Sequence, residues 1–376
     1  MKITAIKTYI VAGSESADGW THIKPFVFVK VETDEGLSGW GEAYALTDQQ
    51  RSIAQLVEEV GRYLLGFDPL NVRRFAVRVF HEFAEARYGL QFYSAMSALE
   101  IALWDITGKV RGLPIYELLG GACHNPIRLY ANFWSTKDQS TEAIVDKAVE
   151  MTERGFGAIK IYPFRCPTLA LAVDRVRRVR EAIGAEVDLM IDLSGHDDPA
   201  MSLQAALKFA EFDPYWIEEP VASHDLENLA HITNTVPARI VTGERLAGKH
   251  VFRDVLARQA ANLLNPDIAA CGGILEFLEI AAMAEAFSVS VTPHNYNSMS
   301  VAQAAALQVS ALAPNAIIAE YFPYFQEISD AISVDRLEIE NGYAKLPDRP
   351  GLGMELDEPA LIKHAFTGAP LRSLNF

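Results

Sequence analysis

Hydrophobic and polar residues follow two different patterns in the first 120 residues. They alternate in ITAIKTYIV (residues 3–11) and in PFVFVKVETDEGLSGWGEA (25–43), which is typical of β-strands, and Asp34-Glu35-Gly36 predicts that the second stretch bends into a hairpin. In QRSIAQLVEEVGRYLLG (50–66) and FYSAMSALEIALWDITGKVRG (92–112), apolar residues recur instead at the spacing of an amphipathic helix. The pattern predicts an α+β unit in which strands precede helices.

From about residue 125 the pattern becomes an alternation of short apolar stretches and amphipathic segments. Segments such as LAVDRVRRVREAIG (171–184) and SLQAALKFAEF (202–212) have helical spacing. Such segments separate most of the eight predicted strands: IRLYANFW, AIKIYPF, VDLMIDLSG, YWIEEPV, RIVTGE, ANLLNPDI, VSVTPHN and AIIAEYF. Eight strands that alternate with helices predict a (β/α) barrel. We expect the tail rich in Pro and Gly (342–363) to return to the first unit.

Length, composition and charge are those of a large globular protein. The chain has 376 residues, 50% of them hydrophobic, which suffices for one large domain or two unequal ones. The net charge of −16 argues against a nucleic-acid partner, which requires clustered Lys and Arg. No stretch resembles a signal peptide or a membrane helix, so we expect a cytoplasmic protein with no membrane partner. Cys123, Cys166 and Cys271 have no paired spacing, and we expect them to lie in the core.

Seven of the eight predicted strands end with a residue that can bind a metal ion or carry a proton. Catalytic residues of barrel enzymes lie at the C-terminal ends of the strands, so these residues are the candidates for a site. In strand order they are Lys160 and Tyr162, Asp192, Glu218 and Glu219, Glu244, Asp267, His294, and Glu320.

Three carboxylates in this set predict a metal site. Asp192, Glu218 and Glu244 are each 26 residues apart, about one strand and one helix, so they should lie on adjacent strands at similar height. Three converging carboxylates repel one another strongly unless a cation lies between them. A set of oxygen ligands favours Mg²⁺. Any one of these residues could instead be a helix cap or a surface ion pair.

Groups that can transfer protons flank the predicted metal site on both sides. Asp267 and His294 end neighbouring strands, so the carboxylate can accept a hydrogen bond from the imidazole and set its tautomer. Lys160 and Tyr162 are two positions apart, which directs both side chains of a strand to one face. Tyr162 could instead cap the barrel, and Lys160 could instead pair with Asp192.

Motifs along nearly the whole chain resemble the enolase superfamily, and within it the mandelate racemase subgroup. The segments that carry the resemblance are GWGEA (39–43), ALWDITGKVRGLPIYELLGG (102–121), WIEEPVASHD (216–225), TGE (242–244), NPDIAACGG (265–273), TPHN (292–295) and PDRPGLG (347–353). The most specific part is the EEP motif followed by HD, together with the pair Asp267 and His294.

The resemblance implies a (β/α)₇β barrel and an α+β capping domain formed by the N-terminal region and the C-terminal tail. We place the N-terminal capping region at residues 1–122, the barrel at 123–345 and the tail at 346–376. The resemblance also implies one Mg²⁺ per site, and we expect a homo-oligomer, from dimer to octamer. The residues that match the family's metal ligands are Asp192, Glu218 and Glu244, and those that match its catalytic residues are Lys160, Asp267, His294 and Glu320. Glu320 matches the acidic residue that hydrogen-bonds the stabilised intermediate, in a protonated or hydrogen-bonding form.

Two positions depart from the subgroup's pattern. Tyr162 stands where the second lysine of the Lys-x-Lys motif would be, and Ser194 stands at the asparagine of the Asp-x-Asn pattern. A tyrosine is a poor base at neutral pH because its ordinary pKa is about 10. We therefore expect a dehydratase that removes the α-proton of a metal-bound acid sugar and then water, with Tyr162 and His294 sharing the acid and base roles. A racemase, epimerase or cycloisomerase that uses the same ene-diolate, and a non-catalytic barrel, remain alternatives.

The substrate is set by loops, for which the sequence offers only candidates. By resemblance, the segment AGSESADGWTHIKPF (12–26) is the specificity loop, with Trp20, Thr21 and His22 as candidate contacts. Tyr88 of the capping region and His196, after the third barrel strand, are further candidates. Each could instead be an ordinary loop residue. The expected product is a 2-keto-3-deoxy acid, from a hexarate such as galactarate or from an aldonate.

Overall fold

A computed structural model gives the fold for residues 1–13, 24–84, 89–133, 140–164, 166–296 and 298–368. It contains the two predicted parts, an α+β cap and a barrel of parallel strands with helices between them. None of the helices in these ranges combines the length and the apolar character needed to cross a membrane.

The capping region begins with a three-stranded antiparallel sheet. Its strands are β1 (Ile3–Ala12), β2 (Pro25–Thr33) and β3 (Ser38–Ala43), and its helices are α1 (Gln50–Gly61), α2 (Val72–Val79), α3 (Leu90–Arg111) and α4 (Ile115–Leu118). Short 3-10 and π-helical turns follow α1 and α2, at Arg62–Leu64 and Phe80–Ala84. The predicted hairpin turn is confirmed between β2 and β3. Gly112, in the left-handed region at φ 68°, ends α3.

The GWGEA motif allows the sheet to pack closely on α3. A β-carbon on Gly41 would lie 1.8 Å from the carbonyl oxygen of Ala98, and one on Gly39 would lie 2.2 Å from that of Ala102. Backbone atoms cannot move away as the end of a flexible side chain can, so only glycine fits these two positions. The motif therefore fixes how the capping sheet and its long helix meet.

The barrel consists of eight parallel strands that alternate with seven helices. The strands are β4 (Ile127–Asn132), β5 (Ala158–Ile161), β6 (Asp188–Asp192), β7 (Trp216–Glu218), β8 (Ile240–Thr242), β9 (Leu263–Leu264), β10 (Ser290–Val291) and β11 (Ala319–Tyr321). The helices are α5 (Thr141–Glu153), α6 (Leu169–Ile183), α7 (Pro199–Phe209), α8 (Leu226–Thr235), α9 (Lys249–Ala257), α10 (Ile274–Ala286) and α11 (Ser300–Leu312). All eight predicted strands are confirmed, although each is shorter than its apolar stretch.

Backbone hydrogen bonds bring the last strands back to the first. Neighbouring strands from β4 to β10 pair in parallel, and β11 pairs with β4. Between β10 and β11 the connection is a bridge of Val291 with Ala316 and a bond from the amide of Glu320 to the carbonyl of Pro293. This arrangement places the ends of all eight strands around one mouth.

The interior of the barrel is apolar in one layer and polar in the next. The apolar layer consists of Tyr130, Ala158, Met190, Trp216, Val241, Leu263 and Ile318. Two residues further along six of these strands lie Asn132, Lys160, Asp192, Glu218, Asn265 and Glu320. Because side chains of a strand alternate between its faces, residues two apart both point inward. The strand period thus brings six polar side chains together directly above the apolar plug.

The chain beyond the barrel returns to the capping sheet. Its elements are α12 (Gln326–Ile332), β12 (Ile339–Glu340), β13 (Tyr343–Ala344) and α13 (Glu358–Lys363), with a 3-10 turn at Pro323–Phe325 before them. Glu358 of α13 accepts hydrogen bonds from Tyr9 and Lys30 of the sheet. The tail described up to residue 368 therefore packs on the first region.

Buried carboxylates of the capping region also cap helices of the barrel. Glu42 accepts the amide hydrogens of Met299 (2.5 Å) and Ala302 (2.9 Å) at the start of α11. Glu100 accepts those of Ile274 (2.7 Å) and Leu275 (3.0 Å) at the start of α10. The first amides of a helix have no acceptor within the helix, and these carboxyl oxygens supply one, so the contacts hold the cap on the barrel.

The expectation that all three cysteines lie in the core is wrong. Cys271 is buried, Cys166 is half-buried and Cys123 is exposed. Cys123 lies in the connection between α4 and β4, where the backbone runs over the surface.

Candidate active site

The three predicted metal ligands converge at the mouth of the barrel. Asp192 ends β6, Glu218 ends β7, and Glu244 lies two residues beyond β8. Each offers a carboxylate oxygen, and these oxygens all lie within 4.8 Å of one another. Burial, together with repulsion from neighbouring carboxylates, raises the pKa of Asp192 to about 7 and that of Glu218 to about 8. This geometry and this excess of negative charge fit a hard divalent cation with oxygen ligands.

Buried donors hold Glu218 in its orientation. Trp216 donates its indole N–H to Oε2 (3.0 Å), and Asn265 donates to Oε1 (2.9 Å). Lys160 is a third donor, 2.8 Å from Oε1. A carboxylate has about four sites for accepting, so these three bonds leave one for a metal ion. The carboxylate is thus oriented before a cation binds.

Glu219 follows Glu218 directly but does not join the metal triad. Its backbone is in the left-handed region at φ 44°, and its Oε1 accepts from the hydroxyl of Thr242 (2.7 Å) and the amide of Gly243 (2.9 Å). Burial, followed by repulsion from Glu244, raises its pKa to about 7. It supports the turn after β8, which leads to Glu244.

Lys160 lies in the polar layer between two carboxylates. Its Nζ is 2.8 Å from Glu218 and 2.8 Å from Glu320, and the side chain is only 2% exposed. Burial lowers its pKa, but the two carboxylates raise it further, so its pKa lies well above the ordinary value. The sequence had left open that Lys160 pairs with Asp192; in the structure it pairs with Glu218 and Glu320 instead.

Glu320 is held as an anion. Its Oε1 accepts from the side-chain amide of Asn132 (2.8 Å), and its Oε2 accepts from the backbone amide of Asn295 (2.7 Å). Burial raises its pKa, but Lys160 and His294 outweigh this effect and lower it. The structure therefore favours the ionised form of Glu320 over the protonated form considered from the sequence.

Asp267 and His294 form the expected pair. A backbone bridge aligns the two residues, and Nδ1 of the imidazole is 2.7 Å from Oδ2 of Asp267. Because a carboxylate can only accept, Nδ1 carries the proton and Nε2 points away from Asp267. Nε2 lies 3.1 Å from Glu244 and 3.5 Å from Glu320. Burial lowers the pKa of His294, and the surrounding carboxylates raise it well above the ordinary value.

A cavity of about 430 Å³ lies above these groups, between the barrel mouth and the cap. Tyr162, half-buried just beyond β5, lines it. The described lining residues are Lys24, Tyr44, Leu46, Leu90, Asn132, Tyr162, Asp192, Ser194, Glu244, Arg245, His294 and Tyr296. The volume suits a small ligand of the size of a sugar acid.

Of the expected substrate contacts, His196 alone lies in the part of the chain that the structure describes. Trp20, Thr21, His22 and Tyr88 lie outside the described residues. The ring of His196 packs 5.4 Å from that of Phe164, and its Nδ1 accepts the amide hydrogen of Asp198. These contacts place His196 beside the loop after β5, and it does not belong to the described lining of the cavity.

Several lining residues were missed in the sequence. Asn132 ends the first barrel strand. Inspecting the C-terminal end of that strand, as was done for the other seven, would have found it. Arg245 directly follows Glu244, a predicted metal ligand, and its Nη2 donates to the carbonyl (2.8 Å) and hydroxyl (2.9 Å) of Ser194. Lys24 and Tyr44 come from the capping region, where no periodic pattern indicates which side chains reach the barrel.

The fold and the site together define the class of protein. Residues 6–120 match the family model of the mandelate racemase / muconate lactonizing enzyme N-terminal domain, and residues 143–360 match that of the enolase C-terminal domain-like family. The chain belongs to this family, in the mandelate racemase subgroup of the enolase superfamily.

Relatives that match along nearly their whole length indicate which class of enzyme within the family this chain belongs to. The chain is 32% identical to the D-galactonate dehydratase of Variovorax paradoxus, over 98% of this chain and 96% of that one. It is 31% identical to the D-galactonate dehydratase of Pectobacterium atrosepticum, over 97% and 94%. An enolase from Sargasso Sea environmental sequencing superposes with a TM-score of 0.92, at 33% identity and 97% coverage of both chains. A mandelate racemase/muconate lactonizing enzyme from Jannaschia sp. CCS1 gives 0.90, at 28% identity, over 98% and 99%. The protein is an enzyme of the hydro-lyase class.

Proposed function

We propose that the protein is a Mg²⁺-dependent dehydratase of acid sugars, acting on a hexarate such as galactarate or on an aldonate. The observation that carries the proposal is the meeting, at one cavity, of a carboxylate triad, a buried lysine and two proton-transfer groups. The relatives named D-galactonate dehydratase support the same reaction type.

The metal site is assigned to Asp192, Glu218 and Glu244. Bound Mg²⁺ would neutralise the substrate carboxylate and so make the neighbouring C–H bond more acidic. The chain itself provides a pre-oriented Glu218 and a fixed Asp192, whose Oδ1 accepts the amide hydrogen of Ser194 at 2.7 Å. We expect the triad to be organised before the ion binds.

Lys160 and Glu320 are proposed to balance the charge that develops on the substrate carboxyl group. An ammonium has three N–H donors, of which two are used by Glu218 and Glu320. The third is left for the substrate, in a water-poor site where such a bond is strong. Glu320, fixed by Asn132 and Asn295, keeps the ammonium in place.

His294 and Tyr162 are proposed to transfer the protons. They come from β10 and β5, which lie on different sides of the ring because β4 and β11 stand between them. Nε2 of His294 is the nitrogen proposed to exchange a proton, because Asp267 holds the opposite nitrogen. One group removes the C2 proton and the other protonates the departing C3 hydroxyl, in an order set by the configuration at C2.

The test is incubation of the full-length protein with Mg²⁺ and a library of hexarates and aldonates. We expect a 2-keto-3-deoxy acid, detected as its semicarbazone, and no product from the Glu218→Gln variant. If the library shows only proton exchange or epimerisation in D₂O, the dehydratase proposal fails and an isomerase is indicated.

A further inference from the structure

The capping strand β3 ends beside the loops that carry Asp267 and His294. The backbone amide of Tyr44, the first residue after β3, donates to the carbonyl of Ala269 (3.0 Å). The amide of Ala269 in turn donates to Oδ1 of Asp267 (2.8 Å). The ring centroid of Tyr44 lies 6.4 Å from that of His294. One short segment of the cap therefore reaches the surroundings of both members of the pair.

Glu42, near the end of the same strand, holds the start of the helix that follows His294 in the chain. Its Oε1 accepts the amide hydrogen of Met299 (2.5 Å), the residue before α11, and its Oε2 accepts that of Ala302 (2.9 Å). The side chain is fully buried. A buried backbone amide without an acceptor costs free energy, so this carboxyl group fixes where α11 begins.

Hydrogen bonds connect the start of α11 to the residue next to His294. The amide of Gln303 donates to the carbonyl of Met299 (2.7 Å), and Oε1 of Gln303 accepts from the side-chain amide of Asn295 (2.6 Å). The backbone amide of Asn295 donates to Oε2 of Glu320 (2.7 Å). Gln303, Met299, Asn295 and Glu320 are all buried. Because Asn295 is joined covalently to His294, a shift of α11 is transmitted to the imidazole.

We propose that Glu42 is a positioning residue for the reaction, acting through the start of α11 to hold His294 in the geometry that proton transfer requires. A displacement of about 1 Å can cost about 10²-fold in rate, even when it originates far from the reacting atoms. The inference rests on the proposed role of His294 in proton transfer. It gives the cap a second role besides enclosing the cavity, because a residue of the capping sheet then sets the geometry of a barrel side chain.

The test compares Glu42→Gln with the wild type, using the Mg²⁺-loaded full-length protein and the acid sugar that the library identifies. Glutamine keeps one oxygen but presents an NH₂ group where the second oxygen accepts a backbone amide, so two donors face each other. We expect kcat to fall about 10- to 100-fold. KM and Mg²⁺ affinity should stay within about 3-fold of the wild type, because the triad lies on and just beyond β6 to β8. Glu42→Asp keeps both oxygens and should recover part of the loss.

The matched control is Glu100→Gln, the same change at another buried carboxyl group of the cap. Glu100 also accepts two backbone amides at the start of a barrel helix, those of Ile274 and Leu275 of α10. That helix follows Asp267, whose side chain keeps its own backbone donor, Ala269. The control should therefore loosen the contact between cap and barrel but leave kcat within about 3-fold of the wild type. A comparable loss of kcat in both variants would overturn the inference.

Combining Glu42→Gln with His294→Asn identifies the group through which Glu42 acts. Effects that pass through one residue do not add, so Glu42→Gln should cause less than about 3-fold further loss of kcat once His294 is absent. The same loss in both backgrounds would show that Glu42 acts elsewhere and would overturn the inference. Unchanged kcat in Glu42→Gln would do so as well.

A measurement without turnover separates this inference from the proposed function. In protein with ¹⁵N-labelled histidine, the NMR signal of the imidazole N–H that bonds to Asp267 is assigned by its loss in His294→Asn. This signal should shift in Glu42→Gln and keep its position in Glu100→Gln. If the library yields no 2-keto-3-deoxy acid, the proposed function fails, and the signal alone decides whether Glu42 positions His294. An unshifted signal in Glu42→Gln would overturn the inference.

Discussion

Replacing Lys160 by methionine tests the electrostatic organisation of the site most directly. Methionine keeps an unbranched side chain of similar length but removes the charge between Glu218 and Glu320. Both carboxylates are fully buried and lie 2.8 Å from Nζ. The substitution therefore leaves two buried anions side by side without the cation that separates them.

The size of the effect follows from these distances. At 2.8 Å and an effective dielectric constant of about 20, each pair attracts by roughly 6 kcal/mol. Much of this attraction is offset by the cost of removing three charges from water. Breaking a buried pair by removing one partner costs about 3–5 kcal/mol, and we expect Lys160→Met to lower the free energy of unfolding by this amount.

The same substitution should change metal binding in the opposite direction. Lys160 is a positive charge 2.8 Å from an oxygen of Glu218, a ligand of the proposed metal, so its charge opposes that of a cation. Without it, the affinity for Mg²⁺ should rise by about tenfold or more, while turnover falls because the developing charge loses its ammonium. General damage to the fold cannot produce a tighter metal site.

The assays are urea unfolding in EDTA and calorimetric titration with Mg²⁺. Lys109→Met is the matched control, because Lys109 pairs with buried Asp105 at 2.8 Å within the cap, outside the described lining of the cavity. It should also destabilise the protein but leave Mg²⁺ affinity unchanged. A loss of stability below about 1 kcal/mol in Lys160→Met, or a weaker Mg²⁺ affinity, would refute this reasoning.

Two further predictions concern proton transfer and pH. His294→Asn and Tyr162→Phe should each lower kcat at least about 10²-fold, the scale of general acid or base catalysis, and near-normal turnover in Tyr162→Phe would reduce that residue to a structural role. Burial raises the pKa of Glu42 to about 8, against an ordinary value of 4.5, although bonds from backbone amides lower it. Between these two values Glu42 keeps a proton in the folded protein that it has lost in the unfolded chain, so its contribution to the free energy of unfolding falls as pH rises from about 5 to 8. Glu42→Gln should make this fall shallower in urea titrations across that range. Glu100→Gln should do the same, because burial raises the pKa of Glu100 to about 7. If the free energy of unfolding depends on pH equally in the variants and the wild type, the raised pKa values are contradicted.

Much of the architecture could be predicted from the sequence because it depends on local periodicity. The eight barrel strands and the hairpin follow from apolar stretches and turn residues, which act over a few positions. The positions of Asp192, Glu218 and Glu244 also follow, because each ends a strand and parallel strands bring their ends to one edge. Tyr162, two positions beyond Lys160, also lies at this mouth, where it lines the cavity.

The contacts between those residues could not be predicted. Lys160 pairs with Glu218 and Glu320, which lie 58 and 160 positions further along the chain, and only closure of the barrel brings the last strand beside the first. Likewise Glu219, adjacent to a predicted metal ligand and chemically identical to it, faces Thr242 because its backbone is left-handed. A pattern of residue types carries no information about such a turn.

The capping region shows most clearly the difference between what local sequence patterns predict and what tertiary packing decides. The sequence by itself determined that GWGEA belongs to a sheet and that the barrel strands end in carboxylates, lysine and histidine. Only the tertiary structure decided that Lys24, on the cap, shares a cavity with Asp192 and His294. The physical reason is that strand and helix periods act within one element, whereas a site between two regions depends on how those elements pack.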